Sequence, residues 1–161
     1  MVKPILQALL LADYVYEDRR TGKKVVAGIF SALGVVKGQQ QEEESTLEEP
    51  GAGHPQEHKL KVSGVERAGS PYVYISLTEL HGATELRLRY VSLDASLESR
   101  EALFETSPFS VVARSPVDSV EIVLPVPPLP RIPGVYALEL LFGDELLGAH
   151  RVTVQQIEQA R

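Results

Sequence analysis

Cysteine is absent from this sequence of 161 residues, and its absence excludes several kinds of chemistry. Without a thiol the chain cannot form a disulfide framework, a thiolate zinc site, an iron–sulfur cluster or a cysteine nucleophile. A chain of this length buries about 70% of the surface that its unfolded form exposes, so it can build a core without a disulfide or a metal. We therefore expect one self-supporting domain over residues 1–161.

Long apolar runs are lacking too. No stretch approaches the roughly 20 apolar residues that a membrane-spanning helix needs. The run from Ile5 to Ala12 is barely as long as the shortest core of a signal peptide, and an acidic stretch follows it instead of a small-residue cleavage site. The sequence thus predicts no membrane span and a cytoplasmic protein whose first segment is a β-strand.

Positive charge is nowhere concentrated. The formal net charge of −6 at pH 7 comes from residues 38–58, which contain six glutamates and no lysine or arginine, while the remaining 16 acidic residues balance 16 basic ones. Because there is no basic stripe, nucleic acid and anionic membranes are not expected partners. Residues 38–58 are also poor in apolar side chains and rich in proline and glycine, so we expect a mobile acidic loop there.

Helical periodicity is nearly absent, whereas apolar and polar residues alternate with period two between turn signals. Antiparallel hairpins are predicted for residues 72–90 and 136–154, with turns at Gly82 and Gly143. A further strand around residues 120–124 precedes a proline-rich connector, PVPPLPRIPG, which cannot lie inside a strand. About seven or eight strands favour an all-β fold, an antiparallel β-sandwich of immunoglobulin-like or C2-like type, with a closed barrel as the alternative.

Two segments are ambiguous between helix and strand. In residues 93–105, Asp94 is placed to cap a short helix in which Leu97, Glu101 and Phe104 recur at helical spacing, and an edge strand is the alternative. The C-terminal residues, VQQIEQAR, are either the end of a strand or a single helical turn.

The first two strands differ from the others because both of their alternating faces are apolar. We predict one strand from Ile5 to Val15 and another from Lys24 to Val36, joined by the turn TGKK. Strands with this pattern are normally buried on both faces. The second face of this hairpin must therefore be covered by the long loop, by the chain's own tail or by another subunit.

No motif in the sequence specifies a catalytic, cofactor or metal site. The turn at Gly22-Lys23 lacks the upstream glycine, the following hydroxyl residue and the helix of a phosphate-binding loop, so Gly22 is interpreted as a positive-φ turn residue. The acidic loop lacks the ligand spacing of a calcium site. His54 and His58 do not suit a zinc site, because Pro55 opposes a helix between them, and no serine lies in a Gly-x-Ser-x-Gly elbow.

Asp13 is the carboxylate of greatest interest. It interrupts the apolar run LLLADYVY, and a buried acid needs a partner. A backbone amide or an arginine across the sheet would supply that partner, which favours a structural role over a catalytic one.

Two stretches of the chain resemble an uncharacterised bacterial family of small domains of unknown function. The first, ALLLADYVYEDRRTGKKVVAGIFSALGV, has an apolar strand, an Asp-x-Val, a Thr-Gly-Lys turn and a Gly-Ile-Phe strand; the second, PVPPLPRIPGVYALELLFGDELLG, has a Pro-Gly-x-Tyr strand start. The matching positions are Asp13, Val15, Thr21, Gly22, Lys23, Gly28, Ile29, Phe30, Pro133, Gly134 and Tyr136. The resemblance implies a β-sandwich, a bacterial source and structural roles for these turn and strand residues. It implies no established activity.

The sequence therefore favours a non-enzymatic β-sandwich module that binds another protein, or itself as a homo-oligomer, through its first hairpin. The alternative is a small-ligand or metal-binding protein, or an enzyme, with its site at the end of the sandwich near residues 38–58, because binding residues concentrate on loops carried by rigid scaffolds. No cofactor is expected.

Overall fold

A computed structural model of the protein describes residues 2–36, 61–62, 65–66, 71–94 and 102–157. Over these residues the regular secondary structure is entirely β, and no helix there is long and apolar enough to cross a membrane. The strands are β1 (Ile5–Glu17), β2 (Lys24–Ile29), β3 (Ala32–Val36), β4 (Lys61–Val62), β5 (Val65–Glu66), β6 (Tyr72–Thr78), β7 (Ala83–Ser92), β8 (Ala102–Glu105), β9 (Phe109–Val112), β10 (Val120–Pro125), β11 (Gly134–Phe142) and β12 (Glu145–Ile157).

The first sheet has the strand order β10-β6-β1-β2, and each neighbouring pair in it is antiparallel. The pairing of β1 with β6 places Leu9 opposite Ile75 and Leu11 opposite Val73, and all four side chains are buried. Successive side chains of a strand point to opposite faces. The central part of β1 therefore turns Leu9 and Leu11 towards the core and the residues between and beyond them outward.

The second sheet has the order β3-β12-β11-β7-β8, with β9 also paired to β7. Its pairings are antiparallel except for β3, which runs parallel to β12 with Leu33 opposite Val154. β11 lies at the centre of this sheet and contributes Tyr136, Leu138 and Leu140 to the core. A separate short pair is formed by β4 and β5.

The two sheets share one hydrophobic core. Buried side chains of β1 and β6 from the first sheet belong to the same cluster as those of β7, β11 and β12 from the second. Close approach between the sheets is visible at Gly148, where a Cβ atom would lie only 2.5 Å from Leu6 Cδ2. The prediction of an all-β, mostly antiparallel fold is confirmed, and the two sheets have a sandwich-like arrangement.

The apolar run from Lys24 to Val36 is not one strand, and here the prediction is wrong. β2 ends at Ile29 in the first sheet, and β3 begins at Ala32 in the second. Gly28 has a φ of 68°, which is not an extended conformation and which a side chain would disfavour. Because the two halves of the run belong to different sheets, its apolar residues do not show the alternation of a single half-buried strand.

The helix considered for residues 93–105 is not found where the structure describes that segment. Ala102–Glu105 forms β8 at the side of β7, with Phe104 opposite Tyr90, so the edge-strand alternative is confirmed there. Leu97 and Glu101 lie outside the described residues, as does the acidic loop predicted for residues 38–58. The C-terminal segment is strand as far as Ile157. The described strands of the two main sheets number four and six, more than the seven or eight expected.

Candidate interaction surface

The TGKK turn is held by its own backbone and by Asp18. The Asp18 N–H donates to the Lys23 carbonyl at 2.9 Å, and the Gly22 N–H donates to the Asp18 carbonyl at 2.8 Å. Asp18 Oδ1 accepts from the amides of Arg20 and Thr21 at 2.9 and 2.8 Å. Hydrogen bonds from Thr21 first, and then from Arg20, hold the pKa of Asp18 below its ordinary value. Gly22 has the predicted positive φ, 68°. The turn therefore uses its amides internally, as a strand reversal rather than an anion cradle.

Asp13 and Gly28 face each other across the first hairpin. The register pairs Ala12 with Ile29 and Tyr14 with Ala27, which puts Asp13 opposite Gly28. A Cβ atom on Gly28 would overlap the Asp13 carboxylate, so the missing side chain makes room for the acid. Asp13 is half-buried and has an interaction partner, as expected of an acid in an apolar run.

Phe30 lies where the chain leaves the first sheet. Its N–H donates to the Leu11 carbonyl at 3.0 Å, and its carbonyl accepts from His150 Nε2 at 3.0 Å. Its side chain packs against the shared core. The next carbonyl, that of Ser31, accepts from the Thr153 N–H at 2.8 Å. Phe30 and Ser31 thus connect the first sheet to β12 of the second.

Gly134 and Tyr136 define the start of β11. The Tyr136 hydroxyl donates to the Ile132 carbonyl, four residues upstream, at 2.7 Å. A Cβ atom on Gly134 would lie 2.6 Å from Asp94 Oδ2 and 3.2 Å from the Tyr136 hydroxyl. Burial first, and then the charge of Asp94, raise the pKa of Tyr136. In this strand start the glycine provides space, and the tyrosine ties the proline-rich connector to the sheet.

The outward side of the first sheet is apolar and rich in tyrosine. The register places Tyr72, Ala12 and Ile29 side by side on neighbouring strands. We call this surface the tyrosine face, which consists of Leu10, Ala12, Tyr14, Tyr16, Val25, Ala27, Ile29, Tyr72 and Tyr74. Tyr14, Tyr16 and Ile29 are 53%, 57% and 57% exposed. In the chain by itself this side of the first hairpin is therefore open to solvent at these three side chains, and its covering by another subunit stays a prediction.

The exposed half of the tyrosine face lies on a two-stranded ribbon. β6 stays paired with β1 only as far as Ala12 opposite Tyr72, whereas β1 and β2 stay paired to Glu17 opposite Lys24. The ribbon thus continues beyond β6 by about 17 Å at the normal rise of a strand. Two-stranded hairpins are only marginally stable without further packing. This part of the first sheet would gain the most from contact with another molecule.

The other end of the same outward side is polar and closed. The Tyr74 hydroxyl donates to Glu121 of β10, and Ser76 Oγ lies 3.3 Å from Ser119 Oγ. Burial first, and then the hydrogen bond and charge of Glu121, raise the pKa of Tyr74. These polar groups find their partners within the chain, so the accessible apolar surface is concentrated on the ribbon.

The outward side of the second sheet carries paired charges beside buried apolar residues. Arg87 donates to Glu105 Oε1 at 2.6 Å and to Asp144 Oδ1 at 2.9 Å. On the same strand, Arg89 Nε donates to Glu139 Oε2 at 2.7 Å, and the Glu139 side chain is only 4% exposed. A buried carboxylate needs such a partner. This side satisfies its charges internally, in contrast to the tyrosine face.

The described residues contain no group of three or more His, Cys, Asp or Glu side chains that could hold a metal ion. No protein-family model matches the sequence, and no curated protein matches it. The alternative site near residues 38–58, with His54 and His58, lies outside the described residues. The tyrosine face is the surface on which a function can be argued.

The structure distributes the predicted residues over three places. Asp13, Gly28 and Phe30 come together at the exit from the first sheet, while the others lie in the ribbon turn (Thr21, Gly22, Lys23) and at the start of β11 (Gly134, Tyr136). Sequence reasoning missed the exposure of Tyr14 and Tyr16, for which the adjoining charged turn was a signal. It also missed the partner of Glu139. The position of this glutamate in YALELLF predicts a buried acid, but the sequence does not indicate which arginine pairs with it.

Proposed function

We propose that the protein is a non-enzymatic interaction module that binds another protein, or a second copy of itself, through the tyrosine face. The observation that carries this proposal is the exposure of Tyr14, Tyr16 and Ile29 on the same face of β1 and β2. Contiguous exposed apolar surface marks interaction sites. Tyrosine suits such sites because its ring buries a large area while its hydroxyl keeps a hydrogen bond.

The free energy gained by burying apolar side chains also supports binding through the tyrosine face. Removing an exposed large apolar side chain from water contributes about 1.5–3 kcal/mol when burial is complete. Tyr14, Tyr16 and Ile29 are already about half buried, so a partner covering all three recovers part of that amount at each. The charged side of the second sheet offers no comparable gain, because its arginines are already paired.

We also propose an immunoglobulin-like topology for the fold, in preference to a C2-like one. In immunoglobulin domains strands A, B and E share one sheet, and strands G, F and C share the other. The orders β1-β6-β10 and β12-β11-β7 correspond to these, with β8 in the position that variable-type domains add beside strand C. The bond from Tyr136 to the Ile132 carbonyl has the form of a tyrosine corner at the start of strand F. The scaffold does not specify the function, which is argued from the surface.

Self-association is tested by light scattering on the purified chain over a range of concentrations. If the partner is a second copy, the mass of the wild type rises with concentration, and Tyr14→Ser abolishes the rise because it removes an exposed ring from the tyrosine face. A strict monomer at every concentration removes the self-association part of the proposal.

Binding to another protein is tested by photo-crosslinking in the source cells. A photoreactive phenylalanine analogue at Tyr16 is expected to give an adduct of defined mass. The matched control carries the same analogue at Val117, which is 81% exposed and lies away from the tyrosine face between β9 and β10. The proposed function would be contradicted if the chain is a strict monomer in light scattering and the analogue at Tyr16 gives either no adduct or the same adducts as the analogue at Val117.

A further inference from the structure

The free edge of β2 has the features of a strand-addition site. Resting on the proposed function, we propose that the partner contributes an extended acidic segment, which pairs with β2 as a fifth strand of the first sheet. This specifies the chemistry of the partner: an alternating apolar strand that carries carboxylates where it passes the ribbon turn.

β2 is the least protected edge of the first sheet. Among the strands that the structure describes, β2 has a neighbour on one side only, and beyond its first residue, Lys24, it carries neither a charge nor a proline. Proteins normally protect edge strands with charges, prolines or shortness. The opposite edge, β10, carries Glu121 and ends at Pro125. An added strand therefore meets less opposition at β2 than at β10.

The backbone of β2 also presents pairing groups at this edge. The bond from the Asp18 N–H to the Lys23 carbonyl closes the turn, and hydrogen-bonded pairs then alternate along an antiparallel ladder. By this alternation Val25 and Ala27 direct their backbone groups to β1, whereas Val26 directs its N–H and C=O away from β1. An incoming strand would pair with Val26, and its outward side chains would extend the tyrosine face beside Val25 and Ala27.

The positive charge of the ribbon turn favours a partner segment of negative charge. The two acidic groups nearest the turn are already engaged: Glu17 pairs with Lys24 Nζ at 2.6 Å, and Asp18 accepts the turn amides. Three exposed cations remain at the tip: Arg19, Arg20 and Lys23. Complementary charge steers association and disfavours partners of the same sign. Carboxylates on the added segment are therefore favoured, and lysines are not.

The size of the ribbon favours a strand over a docked globular copy. Its projecting part is about 17 Å long and two strands, or about 10 Å, wide. The area of this projecting part, about 170 Å², is well below the roughly 800 Å² that each partner buries in a standard protein–protein interface. A strand that adds to an edge gains main-chain hydrogen bonds in addition to side-chain burial, so it needs less area.

The test uses labelled synthetic peptides and the full chain. One peptide alternates valine and glutamate over about ten residues, enough to span β2, and its matched control alternates valine and lysine. Fluorescence anisotropy measures the binding of both peptides to the wild type and to three variants. Val26→Pro removes the outward N–H of β2, Tyr14→Ser removes a ring from the tyrosine face, and Val117→Ser is the surface control. Hydrogen exchange of the Val26 amide in the wild type gives a second measurement that does not depend on a variant folding.

We expect the glutamate peptide to bind the wild type and Val117→Ser at least about tenfold more tightly than the lysine peptide, with binding weakened by added salt. Val26→Pro should weaken binding at least about tenfold, and the peptide should slow exchange at the Val26 amide.

Other outcomes overturn the inference without touching the proposed function. Equal binding to Val26→Pro, or unchanged exchange at Val26, excludes strand addition even if Tyr14→Ser loses binding. Equal binding of the two peptides excludes an acidic partner. A wild-type dimer that Val26→Pro dissociates shows that a second copy occupies the edge. Absence of peptide binding, together with a specific adduct at Tyr16, excludes the acidic strand and leaves an interaction module of another kind.

Discussion

Gly28 controls the path of the chain between the two sheets. It combines a positive φ with a position where a Cβ atom would overlap the Asp13 carboxylate. We expect Gly28→Ala to lower the free energy of unfolding by about 2–4 kcal/mol, because backbone strain and steric overlap add. Denaturant unfolding followed by circular dichroism measures the change.

Gly22→Ala is the matched control, because Gly22 has the same φ of 68° but no atom within 4 Å of its Cβ position. This variant isolates the backbone strain, which costs about 1–2 kcal/mol. Equal losses in the two variants would show that Asp13 yields freely and does not require the space at Gly28.

Two tyrosines of the second sheet differ in how their hydroxyls are satisfied. The Tyr90 side chain is fully buried, its hydroxyl has no hydrogen-bond partner among the described residues, and burial raises its pKa. Removing a buried group without a partner relieves a desolvation penalty. We expect Tyr90→Phe to leave the free energy of unfolding unchanged or to raise it by up to about 1 kcal/mol.

Tyr136→Phe is the paired variant and should behave oppositely. It removes a hydroxyl that donates to the Ile132 carbonyl and leaves that carbonyl without its partner. A loss of about 1 kcal/mol is expected in the same unfolding experiment. If Tyr90→Phe proves the more damaging of the two, the assignment of the orphan hydroxyl is incorrect.

At the scale of elements, the pairing of β7 with β11 includes a buried ion pair. Arg89 is the partner of Glu139, whose side chain is almost fully buried. Removing the arginine leaves a buried carboxylate uncompensated, so Arg89→Met should lower the free energy of unfolding by about 3 kcal/mol. Adding Glu139→Gln to this variant should recover part of the loss, and a double-mutant cycle gives the coupling energy.

Arg87→Met provides the control on the same strand. Arg87 pairs with Glu105 and Asp144, both of which are much more exposed to water than Glu139. Exposed pairs contribute about 0–1 kcal/mol, so the loss should be correspondingly small. Similar losses for the two arginines would mean that burial of Glu139 does not determine the strength of its pair.

At the scale of the whole molecule, the two sheets are joined by more than side-chain packing. The chain itself passes from β2 in one sheet to β3 in the other, and the Phe30 and Ser31 carbonyls accept from β12. We therefore expect the sheets to unfold in one cooperative transition. Thermal melts followed by far-ultraviolet and by tyrosine near-ultraviolet circular dichroism should coincide. Separate midpoints would indicate that the first sheet opens independently.

Local patterns in the sequence were sufficient for the hairpins. The alternation in β6, β7, β11 and β12 and the glycines at their turns predicted these strands, because alternate residues of each strand enter the shared core and each turn glycine has a positive φ. Asp13 was also singled out by its local context, whereas Gly28 and Tyr136 were singled out only by the resemblance to a family. Their partners were not visible, because the contact of Asp13 with Gly28 depends on the register of β1 and β2, and the bond from Tyr136 to the Ile132 carbonyl depends on how the connector enters β11.

By itself the sequence determined that this protein is all-β, that its chain reverses at Gly22, Gly82 and Gly143, and that its first hairpin is apolar on both faces. Only the tertiary structure decided that residues 24–36 divide between two sheets, that Arg89 neutralises Glu139, and that the tyrosine face opens to solvent. The physical reason is that alternation along a strand distinguishes its two faces, whereas the surface that each face meets depends on strands distant in sequence.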